Sequence, residues 1–151
     1  MLPTRDGVSP SCVATPAGTW PLMLDFLVER IPAVGHDVWQ ARMTAGDVVD
    51  ALGQPVLPEA LFTAHRKLYY WRSLPFEYPI PFEEGIVFQD DLLVVADKPH
   101  FLPVTPKGKY VQQTLLVRLK KRLGLDTLVP IHRIDRDTAG LVLFLGAAFL
   151  G

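Results

Sequence analysis

The nine residues His132–Gly140 constrain this chain more than any other stretch. They read His-Arg-Ile-Asp-Arg-Asp-Thr-Ala-Gly and stand between two apolar runs, Leu128-Val129-Pro130-Ile131 and Leu141-Val142-Leu143-Phe144-Leu145. Each run is short and apolar enough to form a buried strand. Buried strands fix both ends of the charged loop between them, and binding and catalytic side chains concentrate on loops held by such a scaffold. Some of these residues also have a plainer account. Asp137 and Thr138 are ordinary turn residues, and Arg136 with Asp137 can form a solvated ion pair of little energetic value.

Read as His-Arg-Ile-Asp-x-x-Thr-Ala-Gly-Leu, the stretch resembles the active-site motif of the RluA-type RNA pseudouridine synthases, whose usual form is His-Arg-Leu-Asp-x-x-Thr-Ser-Gly-Leu. Ile134 replaces Leu and Ala139 replaces Ser, both mild changes. The resemblance implies that Asp135 is catalytic and that Arg133 lies close to a flipped nucleotide. His132, Arg136, Thr138 and Gly140 complete the expected substrate-binding set. His132 would support the loop by hydrogen bonding, Arg133 or Arg136 would keep Asp135 ionised by opposite charge, and Thr138 and Gly140 would set the turn into the next strand. Asp137 competes for the catalytic role, but the register of the motif favours Asp135. A protein-kinase catalytic loop is a poor match, because there the acid follows the arginine directly, and here Ile134 intervenes.

The implied reaction breaks the bond from ribose C1′ to uracil N1, turns the base, and joins C5 to the sugar. It needs no oxidation, metal or external energy, so no cofactor and no metal is expected. A stacked base must first leave its neighbours, with Arg133 contacting phosphate or filling the vacated space. One ionised carboxylate must then stand near the sugar. Asp135 can attack covalently, stabilise a cationic sugar or take a ribose proton, and the residues do not choose among these routes.

A second segment carries the same resemblance. Asp97-Lys98-Pro99-His100-Phe101-Leu102-Pro103-Val104 is similar to the family's Asn-Lys-Pro-x-Gly-x-x-Val. Asp97 replaces the usual Asn, and Phe101 replaces a frequent Gly.

The 151 residues suffice for one domain or two small ones, and with 49% apolar residues the chain has material for a packed core. The net charge of −1 gives no bulk argument for a nucleic-acid partner, but its distribution does. Six acids and no Lys or Arg lie from Ser73 to Asp97, whereas nine basic residues and two acids lie from Lys98 to Arg136. A basic half attracts phosphates despite a neutral total. Arg66, Lys67, Arg72, Lys98, Lys107 and Lys109 are the expected RNA contacts. The one cysteine, Cys12, allows no disulfide within the chain and suits a reducing cytoplasm. No zinc-site spacing, signal-peptide pattern or membrane-spanning run is visible, so no membrane partner is expected. The resemblance implies RNA as the partner, and the intact protein is expected to be a monomer.

Along the chain, residues 1–18 are rich in Pro, Ser, Thr and Gly and are expected to form a flexible tail. Thr19 can cap a helix with Pro21 in its first turn, and Leu22, Met23, Phe26, Leu27 and Ile31 recur at helical spacing. A second helix is expected across Val38–Ala45, followed by a strand, turn and strand from Val48 to Val56. Two helices and a small hairpin, with Gly46-Asp47-Val48-Val49 at the junction, resemble an S4-type RNA-binding domain over residues 19–73. The stretch His65–Arg72 interleaves bases with aromatics. It suits either stacking on unpaired bases or a strand that buries Leu68, Tyr70 or Trp71. The prolines of residues 74–85 favour an extended linker. Ile86–Phe88 and Leu92–Ala96 read as a hairpin around Gln89-Asp90-Asp91. Gln112–Leu123 reads as a helix with Leu115, Leu116, Leu119 and Leu123 in one stripe, stopped by Gly124.

The expected fold class is therefore α+β: a small S4-like αα-hairpin domain, then the first part (residues 86–151) of a mainly antiparallel mixed-sheet pseudouridine synthase catalytic domain. In that family the domain continues past the aspartate motif with further strands, a stacking tyrosine and a basic partner for the aspartate. The chain is thus expected to be a truncated form with exposed sheet edges and apolar surface, poor stability and little catalysis of its own. A non-catalytic RNA-binding module that keeps the motif as a structural turn is the alternative function.

Overall fold

The computed structural model describes residues 2–146. Among them it forms an α+β structure of three helices and two antiparallel sheets. The chain divides into two compact units, one comprising residues 2 and 10–71, the other residues 3–9 and 72–146.

The first unit holds β1 (Ser11–Ala14), α1 (Met23–Arg30), α2 (His36–Thr44), β2 (Val48–Val49) and β3 (Lys67–Tyr70). Helix α1 starts later than Thr19 suggested. Leu22 is its N-cap, and the Asp25 carboxylate accepts the Leu22 amide at 3.0 Å. That bond satisfies an amide at the helix start, which Thr19 is too far upstream to reach. Met23, Leu24, Phe26 and Leu27 of α1 and Trp39 and Met43 of α2 are buried in one core with Val13, Val48 and Leu68. Each such side chain contributes roughly 1.5–3 kcal/mol when fully buried.

Strand β3 is the centre of a three-stranded sheet in the order β1-β3-β2. Residues 11–14 are therefore not a flexible tail. They pair with β3 from Ser11↔Tyr70 to Ala14↔Lys67, and Val13 and Thr15 are buried. The expected hairpin after α2 forms as β2, a turn and a short returning arm, where Val49 bridges Pro55 and the Val56 amide donates to the Val48 carbonyl at 2.9 Å. There the Asp50 carboxylate accepts the amides of Leu52 and Gln54, while β2 finds its strand partner in β3. For His65–Arg72 the buried-strand reading holds at the aromatics. Leu68 and Trp71 are buried, and Tyr70 packs edge-on against Trp39.

The second unit holds β4 (Gly85–Gln89), β5 (Leu93–Lys98), α3 (Leu115–Leu123), β6 (Val129–Pro130) and β7 (Gly140–Leu145). The hairpin β4–β5 turns at Asp90, whose carboxylate accepts the amides of Leu92 and Leu93. All neighbours in the sheet order β4-β5-β7-β6 are antiparallel, with Val94↔Phe144 and Ala96↔Val142 in register. These four side chains are buried in one core with Leu102, Leu115, Leu119 and Leu128. Exposed apolar surface also occurs, at Phe88, Val129, Ile131 and Leu141 of the sheet and its margin.

Helix α3 begins at Leu115, not Gln112, because Thr114 caps it by accepting the Val117 amide. It ends where Gly124 adopts the left-handed conformation (φ 66°), which a side chain would resist. Residues 74–85 are not a free linker. They lie in this unit, strapped to α3. The Glu77 carboxylate accepts the amides of Val111, Gln112 and Gln113 at 2.7, 2.8 and 3.1 Å. Arg118 donates to the carbonyls of Ile80 and Phe82, and Glu84 pairs with Arg118 and Arg122. Residues 3–9 likewise pack here, with Val8 buried against Val111 and Val117 and Ser9 accepting from Lys120. Among the described residues no helix is long and apolar enough to cross a membrane.

Candidate functional site

The loop between β6 and β7 is positioned by the paired strands on either side of it. Val129↔Leu145 and Pro130↔Phe144 hold one end, and the Ile131 amide donates to the Leu143 carbonyl at 2.8 Å. His132 extends this grip with its side chain, where Nε2 accepts the Leu143 amide at 3.2 Å. A ring nitrogen that accepts cannot carry the proton, so this bond places the imidazole hydrogen on Nδ1.

Ile134 turns inward and packs against the sheet core, while its neighbours Arg133 and Asp135 are exposed. The apolar residue anchors the loop, and the alternation leaves the cation and the acid facing solvent. Asp135 opens a β-turn in which its carbonyl accepts the Thr138 amide at 3.0 Å. Gly140 ends the loop at φ 154° and begins β7 opposite Lys98. The nearest atom to a Cβ placed there would be Ile134 Cδ1 at 3.7 Å, an ordinary contact, so conformation and not space favours glycine.

The second family-like segment meets this turn through Lys98. Its side chain is fully buried, and Nζ donates to the carbonyls of Pro99 (2.9 Å), Leu102 (2.7 Å) and Arg136 (3.0 Å). One ammonium thus ties the Pro99–Leu102 turn to the residue after Asp135. Burial pushes the Lys98 pKa down, and the charge of Asp137 acts in the opposite direction. This corrects the expectation that Lys98 contacts RNA, since its charge is turned inward and engaged by carbonyls. His100 adds a further tie, its Nδ1 lying 2.9 Å from the Asp137 carbonyl. Phe101, at the tip of the same turn, has φ 67° and is 47% exposed. That conformation costs a side-chain-bearing residue roughly 1–2 kcal/mol relative to one at negative φ.

Arg136 does not pair with Asp135. Its guanidinium lies 3.1 Å from the Asp137 carboxylate, donates to the Tyr110 hydroxyl at 3.3 Å and sits over the Tyr110 ring. Among the described residues the carboxylate of Asp135 has no hydrogen-bond or ion-pair partner, and neither has the guanidinium of Arg133. An exposed, unpartnered carboxylate beside an exposed, unpartnered guanidinium is chemically free to meet a sugar and a phosphate. Tyr110 was not legible as part of this site, since no spacing in the sequence marks it. His100 lies in the second family-like segment, but its bond to the Asp137 carbonyl was not legible.

The other expected RNA contacts are dispersed. Lys107 and Lys109 flank Gly108 in a tight exposed turn closed by Lys107 and Tyr110. Arg72 donates to the Gly108 carbonyl at 2.8 Å, so its guanidinium is partly engaged. Arg66 and Lys67 are exposed in the first unit, at and beside the start of β3.

Residues 92–144, from the start of β5 through the core of β7, match the family described as RNA pseudouridylate synthase. An uncharacterised RNA pseudouridine synthase of Synechocystis sp. is 36% identical over 129 residues, which is 85% of this chain and 44% of that protein. RNA pseudouridine synthase 5 of Oryza sativa is 29% identical over 70% of this chain and 30% of its own length. A tRNA pseudouridine(31) synthase of Saccharomyces cerevisiae is 43% identical over 59 residues, 39% of this chain and 14% of that protein. The chain therefore spans less than half the length of each of these relatives.

Proposed function

Because the chain belongs to the RluA-type RNA pseudouridine synthase family, we propose that it supplies the catalytic-aspartate segment of an enzyme that isomerises uridine to pseudouridine in RNA. The observation that carries this reading is the Asp135 turn. An acid at the motif position stands exposed and unpartnered, held from below by Ile134 and Lys98. Arg133 is the cation beside it, suited to phosphate or to the gap left by a flipped base. His132, Thr138 and Gly140 serve the substrate by fixing this loop. Arg136 serves it through Tyr110 and Asp137.

The reaction balances within the substrate. The C1′–N1 bond breaks, the freed uracil turns, the C1′–C5 bond forms, and C5 gives up its hydrogen while N1 gains one. Asp135 needs only to be ionised and near the sugar. Lys107, Lys109, Arg66 and Lys67 are the proposed RNA contacts, acting by charge. Residues 19–73 are proposed as an S4-like RNA-binding domain, on the support of two packed helices followed by the Asp47-Val48-Val49 step. The substrate is a ribosomal or transfer RNA, a cytoplasmic location accompanies it, and the intact protein acts as a monomer.

Nucleoside analysis of RNA treated with the enzyme that carries this segment tests the assignment. Asp135→Asn should remove pseudouridine formation and leave RNA affinity within about twofold, whereas Asp137→Asn should retain formation. Pseudouridine formed by the Asp135→Asn variant would overturn the role of Asp135. Bound RNA that never acquires pseudouridine would favour the non-catalytic RNA-binding module.

A further inference from the structure

Phe101 combines two properties that rarely coincide. Its backbone lies in the left-handed region (φ 67°), which bulky residues avoid. The residue is 47% exposed, so core packing does not fully compensate the strain. A strained residue persists only where its surroundings hold it, and such residues cluster at functional sites. Here the holding group is visible. The Lys98 ammonium takes the carbonyls of Pro99 and Leu102 on both sides of the tip.

The ring is not alone. The Phe82 ring lies 6.0 Å from it, centre to centre, and the His100 ring 5.9 Å. Phe82 is itself 48% exposed. The same ammonium bonds the carbonyl of Arg136, and His100 bonds the carbonyl of Asp137, so this aromatic group adjoins the Asp135 turn. Exposed cations without partners among the described residues stand on the same unit, at Arg133, Lys107 and Lys109. The Lys107–Tyr110 turn reaches the loop through the contact of Tyr110 with Arg136.

We propose that Phe101, supported by Phe82 and His100, is a stacking platform for an unpaired base of the RNA strand whose uridine enters at Asp135. This rests on the reading of Asp135 as an RNA-modifying centre. Exposed aromatic faces on the same unit as unpartnered cations suit single-stranded nucleic acid, in which every base has a π face and every linkage a negative charge. An apolar protein partner would gain from the rings but not from the cations. The platform would hold a base near the target and leave the target free to leave its stack.

The test is binding of a short single-stranded oligoribonucleotide carrying 2-aminopurine, whose fluorescence falls on stacking. Phe101→Leu keeps an apolar side chain without a π face, and Phe101→Gly also removes the strain. Both variants should weaken binding about fivefold or more and lose the quenching, whereas Phe101→Tyr should retain both. Phe101→Gly should unfold at the same temperature as the parent chain or higher, which separates loss of stacking from loss of fold. Unchanged affinity and quenching in Phe101→Leu and Phe101→Gly would overturn the platform. Asp135→Asn should bind and quench like the parent chain. Failure of that variant to affect turnover would count against the catalytic reading, and it would leave the binding result to stand or fall separately.

Discussion

Lys98 carries more of the site than any other single residue. A buried ammonium is stable only with its donors engaged, and three carbonyls from two separate turns engage it. Removing it leaves the buried Leu102 carbonyl and the partly buried Pro99 and Arg136 carbonyls without their donor. Lys98→Met, which nearly preserves volume, should therefore destabilise the chain by about 2–4 kcal/mol. Urea unfolding reads this directly, and an unchanged midpoint would show that the ammonium does not hold the two turns together. Sequence alone suggested a different role for this residue. A lysine next to proline in a basic half looks like a phosphate contact, and its burial depends on β5 and β7 being neighbours, which no local pattern encodes. Asp135 behaved in the opposite way. Its place in the motif is local, and the turn around it is built from residues within four positions. Its lack of a partner was not legible, since the adjacent Arg136 is drawn off by Tyr110 and Asp137.

At the scale of elements, helix α3 and the strap over it form one working unit. Glu77 accepts three amides just ahead of α3, where backbone donors would otherwise be unsatisfied. Burial opposes its charged form, but these amides and the charge of Arg72 outweigh burial and hold its pKa below 4.5. The group is therefore more readily ionised folded than unfolded. Its contribution is fully present above the unfolded value and is lost as pH falls through the lower folded value. Glu77→Gln should lower stability by about 1.5–3 kcal/mol at neutral pH, and the difference from the parent chain should shrink on acidification below about pH 4.5. A difference independent of pH would contradict the charge-assisted cap. The apolar stripe of α3 was readable because its period is local. The strap was not, because prolines in series look the same whether a segment crosses open solvent or lies against a helix. Strand β1 was obscured for a related reason. Four residues gain strand structure only from a partner more than fifty positions away, and the Pro, Ser and Gly around them resemble a loose end.

On the scale of the whole molecule, two units each carry their own core and sheet. The second unit presents Asp135, Arg133 and the Phe101 turn on loops at the ends of β5 and β7, with the sheet core and α3 holding the scaffold. Paired strands beneath and exposed chemistry above suit the proposed role, in which the base supplies the motion and the protein the fixed geometry. Release of hydrogen from C5 of uridine is the measurement that tests this most directly. RNA labelled at that position, incubated with the enzyme that carries this segment, should lose its label as pseudouridine forms, and Asp135→Asn should stop the loss. RNA that binds yet keeps its label, or release that persists in Asp135→Asn, would contradict a pseudouridine-forming centre built on Asp135.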